Sequence, residues 1–163
     1  MKREILNECR LSFPPLSVNE SYARAAAAAF AAQADPTVRE ISEIKTAVSE
    51  AVTNAIVHGY RSCTGMVELT MRQYSGGVFY ISVKDRGAGI RDVEQAMTPL
   101  FTTAPEEERS GLGFSVMESF MDRVSVKSAP GKGTTVTMEK RISVHARPAE
   151  RDDQAAADVV SLT

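Results

Sequence analysis

The spacing of apolar and polar positions changes several times along the chain, and each change marks an element. Residues 5–13 alternate loosely and predict an edge strand, ended by Pro14 and Pro15. Residues 18–32 are rich in alanine, and Tyr22, Ala26, Ala29 and Phe30 can share one stripe. This predicts a helix of high intrinsic propensity, with Ser17 or Asn19 available as its cap. After a break at Asp35, Pro36 and Thr37, a second helix is predicted from Thr37 or Val38 to about His58. Its apolar positions Ile41, Ile44, Val48, Ala51, Val52, Ala55 and Ile56 keep a 3.6-residue period. Gly59 reads as its terminator.

The period then falls to two. Residues 66–74 and 78–84 read as strands joined by a tight turn at Ser75, Gly76 and Gly77. A short helix is predicted over 92–96. Residues 98–110 contain Pro99, Pro105 and three consecutive glutamates, and read as a loop. Residues 113–121 look helical, and 124–128 and 134–140 form a second hairpin around Pro130 to Gly133. Adjacent hairpins beside a helix layer predict the α+β class, with a mixed, mostly antiparallel sheet and helices on one face. From Ala146 onward the chain lacks aromatic residues and reads as a mobile tail. The expected organisation is one domain over 1–142 and a disordered tail over 143–163.

Composition narrows the function. A chain of 163 residues with 43% hydrophobic residues can bury one real core and hardly two. A net charge of -2 leaves no footprint for nucleic acid. No Lys/Arg block suits an anionic membrane, and no run approaches the roughly 20 apolar residues of a bilayer span. The N-terminus has no long apolar region, so a signal peptide is not expected. Cys9 and Cys63 fit neither a metal spacing nor a disulfide framework, and read as reduced thiols of a cytoplasmic protein.

Three short motifs carry the candidate chemistry. In the first, Glu50 and Asn54 stand four residues apart on one helix face. The Asn54 amide oxygen suits Mg²⁺, and Glu50 could hold a metal-bound water or accept a proton from an attacking hydroxyl. In the second, Asp85 ends a strand ahead of Gly87 and Gly89. A carboxylate fixed in an apolar pocket can receive the exocyclic amine of adenine, and the glycines let backbone approach a ligand. In the third, Arg109, Ser110, Gly111, Leu112, Gly113 and Phe114 open a helix whose free N–H groups can bind phosphate. The loop before it could close as a lid. Thr134 could meet the base beside Asp85, or serve only as a good strand former; His58, one turn after Asn54, reads first as a satisfied helix-end histidine and could border the pocket. Taken singly, each motif also has an ordinary structural reading: a hydrogen-bonded helix pair, a turn, a helix start. No Walker A loop or Rossmann fingerprint is present.

In this order the motifs resemble the GHKL superfamily, the ATP-binding fold of gyrase, histidine kinases and the MutL proteins. Glu50 and Asn54 match its N box, Asp85-x-Gly-x-Gly89 its first glycine box and Gly111-x-Gly113 its second. Residues 49–60 and 99–114 are similar to the sporulation anti-sigma F factor family, as are 19–24 and 131–135, and the likeness covers about residues 4–142. It implies a two-layer α/β sandwich of the GHKL (Bergerat) type. It also implies an ATP/ADP-binding, Mg²⁺-dependent serine kinase that inhibits sporulation sigma factor F and phosphorylates an anti-anti-sigma factor. By that likeness Glu50 is the general base and Asn54 the Mg²⁺ ligand. Asp85, Gly87, Gly89 and Thr134 hold adenine, and Arg109, Ser110, Gly111, Leu112, Gly113 and Phe114 hold the phosphates. Arg24 matches a partner-facing arginine, and a homodimer through the first strand and helix is expected. Arg91 stands where relatives often have proline. Competing readings are a general-stress anti-sigma kinase, a nucleotide-gated binding module without kinase activity, and a histidine-kinase catalytic domain acting in trans.

Overall fold

A computed structural model describes residues 3–61, 64–99 and 112–143. It has five strands in the order β1-β2-β3-β5-β4, and the four described pairings are all antiparallel. The strands are β1 (Ile5–Phe13), β2 (Val67–Tyr74), β3 (Val78–Asp85), β4 (Arg123–Ala129) and β5 (Gly133–Arg141). The helices are α1 (Val18–Ala32), α2 (Val38–Asn54), α3 (Val93–Met97) and α4 (Gly113–Phe120). Helices pack over one sheet face, as the α+β reading expects, and β1 is an edge strand. Among the described residues no helix is long and apolar enough to cross a membrane.

The core follows from the two periodicities. Val67, Leu69 and Met71 of β2 alternate with partly exposed neighbours, so one face of that strand is dry. Ile81 and Val83 of β3 and Val136 and Met138 of β5 extend this face. Ile44, Val48, Ala51 and Val52 of α2 lie on it, fully or almost fully buried. Ala23, Ala27 and Phe30 of α1 continue the layer, and Phe30 packs at a tilt on Phe79 with ring centroids 5.9 Å apart. Each large aliphatic side chain buried this way contributes about 1.5–3 kcal/mol before entropy is counted.

Two boundaries differ from expectation for physical reasons. The Ser17 side chain makes no capping bond, and the Asn19 amide instead donates to the Pro14 carbonyl at 2.9 Å. The second helix ends its α-helical part at Asn54 and continues as a π-helical turn over Ala55–Gly59. The helical run ends at Gly59 as expected, but without a left-handed φ, and the further role of this glycine belongs to the site described below. Residues 144–163 of the expected tail lie outside the described residues, as do Cys63 and most of the expected lid. Ser143, the first residue assigned to the tail, is tied down.

That tie is Glu40. With Thr37 it forms a capping box at the start of α2, and its Oε1 accepts both the N–H and the hydroxyl of Ser143, at 2.9 and 2.7 Å. Burial pushes the Glu40 carboxyl up, but the donors of Thr37 and Ser143 outweigh it and hold the group down at about 2. A carboxyl depressed on folding contributes stability above its unfolded pKa and loses it as pH falls through the folded value. Stability should therefore drop between about pH 4.5 and 2. Glu40→Gln should cost about 1–3 kcal/mol at neutral pH and flatten that acid limb. Urea unfolding at a series of pH values measures both, and an acid limb unchanged in the variant would dismiss the role of Glu40.

Candidate functional site

The C-terminal half of α2, the β3–α3 loop, α4 and the β4–β5 turn enclose a cavity of about 720 Å³. Glu50, Asn54, Asp85, Gly89, Leu112, Gly113, Phe114 and Thr134 line it. Residues from all three motifs therefore meet around one space. The meeting is closest at Gly113. A Cβ added there would lie 3.1 Å from Glu50 Oε2 and 3.4 Å from both Asn54 Oδ1 and Nδ2. The backbone that starts α4 thus rests against the two polar side chains of α2, at a distance that leaves little room for a larger residue.

The opposite wall is built around Asp85. It pairs with Thr134 across β3 and β5, and both are buried. Desolvation pushes the Asp85 carboxyl up, while the backbone N–H groups of Gly87 and Thr134 pull it back; the net direction is upward. The Gly87 N–H reaches Asp85 Oδ1 at 2.9 Å. Thr134 Oγ1 lies 2.8 Å from Ser128 Oγ, which in turn accepts from the Ile90 N–H at 2.7 Å. The threonine is thus fixed to the first glycine loop through a serine that the sequence reading did not single out.

Glycine is required here by close approach. A Cβ on Gly59 would lie 2.7 Å from Asp85 Cγ, and one on Gly87 would lie 1.8 Å from the Gly59 carbonyl oxygen. That carbonyl accepts the Ala88 N–H at 2.8 Å. The π-helical turn therefore delivers the end of α2 directly onto the Asp85 loop. Gly59, expected as a helix stop, is the residue that lets the two motifs touch.

The Leu112 side chain makes no capping bond to the N–H groups that open α4. Such groups, with the positive end of the helix, suit phosphate. Arg109, Ser110 and Gly111 lie outside the described residues. Arg24 is away from the cavity, on α1, where it pairs with Glu20 at 3.5 Å. It lines a separate groove with Ser42, Lys45, Thr46 and Ser49 of α2. His58 does line the main cavity, as do Ile90, Arg91, Asp92 and Gln95, which the motifs did not reach. Their signal in the sequence was only adjacency to the first glycine box.

The donors present fit a nucleotide that brings its own metal. Among the described residues no cluster of three or more His, Cys, Asp or Glu is arranged to hold an ion. Magnesium commonly takes one or two protein oxygens and completes its shell with phosphate and water. An Asn54 amide oxygen beside a glutamate and a helix start meets that requirement.

The chain resembles known proteins over most of its length. The family model of the histidine kinase-like ATPase domain matches residues 13–140. The anti-sigma F factor of Thermoanaerobacter sp. (strain X514) is 56% identical over 140 residues, covering 85% of this chain and 96% of that protein. That of Bacillus subtilis (strain 168) is 54% identical over 138 residues, covering 84% and 94%. Among solved structures, the RsbU and RsbW domains of a Mycobacterium tuberculosis protein superpose with a TM-score of 0.63 at 22% identity, a likeness of fold. It covers 86% of this chain, which spans only 34% of that one. A blue-light activated histidine kinase of Erythrobacter litoralis superposes at 0.51 with 25% identity, covering 67% of this chain and 32% of that one.

The contact between Gly59 and Gly87 can be tested by contrast. Gly87→Ala drives a methyl group into a backbone carbonyl and should cost about 2–4 kcal/mol and weaken ATP binding. Gly76→Ala meets no atom within 4 Å, and its cost comes only from a φ of +80°, about 1 kcal/mol. It should leave ATP binding alone. Thermal melts and ATP calorimetry on both variants check the pair; equal effects would mean that the loop can move aside.

Proposed function

The chain belongs to the anti-sigma F factor family, built on a histidine kinase-like ATPase domain, and we propose that it is an ATP-dependent protein serine kinase that also sequesters sporulation sigma factor F. The observation that supports this reading is the convergence at Gly113, where the start of α4 meets Glu50 and Asn54 in a cavity also lined by Asp85 and Thr134. The base-reading and phosphate-facing ends of a nucleotide are both provided for.

In this reading Asp85 accepts from the exocyclic amine of adenine, with Thr134 beside it. Gly87 and Gly89 shape the loop around the base. Leu112, Gly113 and Phe114, with Arg109, Ser110 and Gly111, hold the phosphates. Magnesium, held by Asn54 and the phosphates, would neutralise charge on the transferred group. Phosphoryl transfer depends on positioning and charge neutralisation more than on covalent chemistry. The serine oxygen of the anti-anti-sigma factor attacks the γ-phosphorus, the bond to the β–γ bridging oxygen breaks, and ADP leaves. The serine proton passes to the Glu50 carboxylate. A carboxylate is a far weaker base than a serine alkoxide, so Glu50 orients the hydroxyl and takes the proton late. Closure of residues 98–110 over the nucleotide would exclude water and favour serine as the acceptor.

The groove at Arg24 supports a second role. Two cations, Arg24 and Lys45, stand there among three hydroxyls, and Glu20 holds Arg24 from the same helix. We assign this face to sigma factor F and to the antagonist in turn. Nucleotide-ordered closure favours sigma. Phosphorylation adds about −1.5 to −2 charge to the antagonist and loosens it from a face fitted to a neutral serine. Ile5 and Leu6 at the start of β1, and Leu16, Val18 and Tyr22 at and before the start of α1, are exposed, and we assign a homodimer contact to this first strand and helix. The working compartment is the cytoplasm.

The decisive experiment incubates the chain with labelled ATP and the anti-anti-sigma protein. Phosphoserine should form with the wild type. It should fall by at least about a hundredfold with Glu50→Gln, while ATP and sigma binding persist. Unimpaired transfer by Glu50→Gln would remove Glu50 as the base, and phosphohistidine would remove the serine reading. Separately, Arg24→Glu should weaken both sigma and antagonist by at least about tenfold and spare ATP. Calorimetry with each partner measures this, and intact affinity for both would reject the shared face. A monomer mass by light scattering on the same samples would reject the homodimer.

A further inference from the structure

The Asp85 loop is held to the end of α2 by more than close packing. Tyr60 follows the π-helical turn and is 7% exposed. Its hydroxyl stands 2.7 Å from the Met66 carbonyl oxygen and 2.8 Å from the Arg86 nitrogen. A carbonyl can only accept and an amide can only donate, so the phenol donates to Met66 and accepts from Arg86. One residue earlier, the Gly59 carbonyl accepts from Ala88 at 2.8 Å. The two bonds land on either side of Gly87, immediately after Asp85. They pin the backbone that Asp85 Oδ1 itself caps through the Gly87 N–H.

The ring is placed as deliberately as the hydroxyl. A Cβ on Gly65 would lie 2.4 Å from Tyr60 Cε1, so the chain before β2 lies close over the ring only because residue 65 is glycine. Tyr60 does not line the main cavity; it stands behind the wall that Asp85 and Gly59 present to it. A phenol in this place touches no nucleotide and instead sets the register of the loop that aims the Asp85 carboxylate.

Resting on the reading that Asp85 receives adenine, we propose that Tyr60 is a positioning residue for base recognition, acting through its hydroxyl on the Arg86 N–H. Tyr60→Phe keeps the ring and removes both hydrogen bonds. The dissociation constant and the KM for ATP should each rise about tenfold, the size of one hydrogen bond lost by a part-buried donor. The kcat at saturating ATP should stay within about twofold, because Glu50 and the start of α4 contact the opposite side of the cavity. A merely structural role would lower kcat and folded fraction together.

Calorimetry with ATP and phosphorylation kinetics with the anti-anti-sigma protein test this on the full chain. Weaker ATP binding with kcat held supports the assignment. An unchanged or tighter affinity overturns it, and so does a fall in kcat, whatever KM does. If the variant does not fold, amide exchange in the nucleotide-free wild type decides. Slow exchange at Arg86 supports the bond, and exchange at the rate of an open peptide overturns it. A wild type that ignores ATP would remove the underlying nucleotide reading instead, which separates the two failures.

Discussion

The Gly59 carbonyl and the Gly87 backbone meet with no room for a methyl group between them, and the site depends on that contact. α2 is anchored by Ile44, Val48, Ala51 and Val52, which are buried against the sheet. Its last turn widens into a π-helix and ends on the loop that follows β3. Because one helix carries Glu50 and Asn54 and also abuts Asp85, the two ends of the cavity are referenced to one rigid body. The start of α4 completes the arrangement by resting on the same helix at Gly113. A π-turn costs regular helix hydrogen bonding, and such turns gather where a helix must place a functional group off its own register.

Far from the cavity, a buried lysine and a part-buried glutamate hold the same helix. Lys140 of β5 donates to Glu43 of α2 at 2.7 Å and to the Phe120 carbonyl of α4 at 2.8 Å. It therefore joins the ends of the two helices whose other ends face the cavity. The Lys140 bond, first, and the Arg39 bond hold the Glu43 carboxyl below its ordinary range. A pair like this adds little net stability over well-packed apolar groups, but leaving either charge alone would be costly. Glu40 anchors the start of α2 to Ser143 in the same way. The helix that bears the candidate chemistry is fixed at both ends by polar contacts and along its length by apolar ones.

Much of this was legible in the sequence because periodicity is a local signal. The strands, the helices and the turn at Gly76 emerge within a residue or two of their expected places. The three motifs pointed to one cavity because each carries a residue type that few structural needs would place there together. What stayed hidden depends on distant partners. Ala55 to Gly59 reads as ordinary helix, and only contact with the Asp85 loop explains its π geometry. Gly59 looked like a stop because helix ends favour glycine, whereas the actual constraint is a carboxylate 26 residues away. Glu40 and Ser143 lie 103 residues apart, beyond any pattern of spacing. Ser17 had the right chemistry for a cap and lacked the extended backbone that capping needs.

The cavity and the Arg24 groove are two sides of one helical turn. Ser49 of α2 donates to Glu20, which holds Arg24, and the next residue, Glu50, lines the cavity. Successive helix positions point about 100° apart, so an occupant on either side bears on the same backbone. That backbone is not free to bend: Val48 and Ala51, on either side of the pair, are buried to within 1%. Packing of this density transmits displacement instead of absorbing it. In the proposed function, communication between nucleotide and partner would run by shifting α2 as a unit, or through groups that close over the nucleotide from outside it. The first route is resisted by the Glu40 and Lys140 anchors at the far end of the helix. A ligand-driven switch that acts along α2 must therefore overcome those anchors.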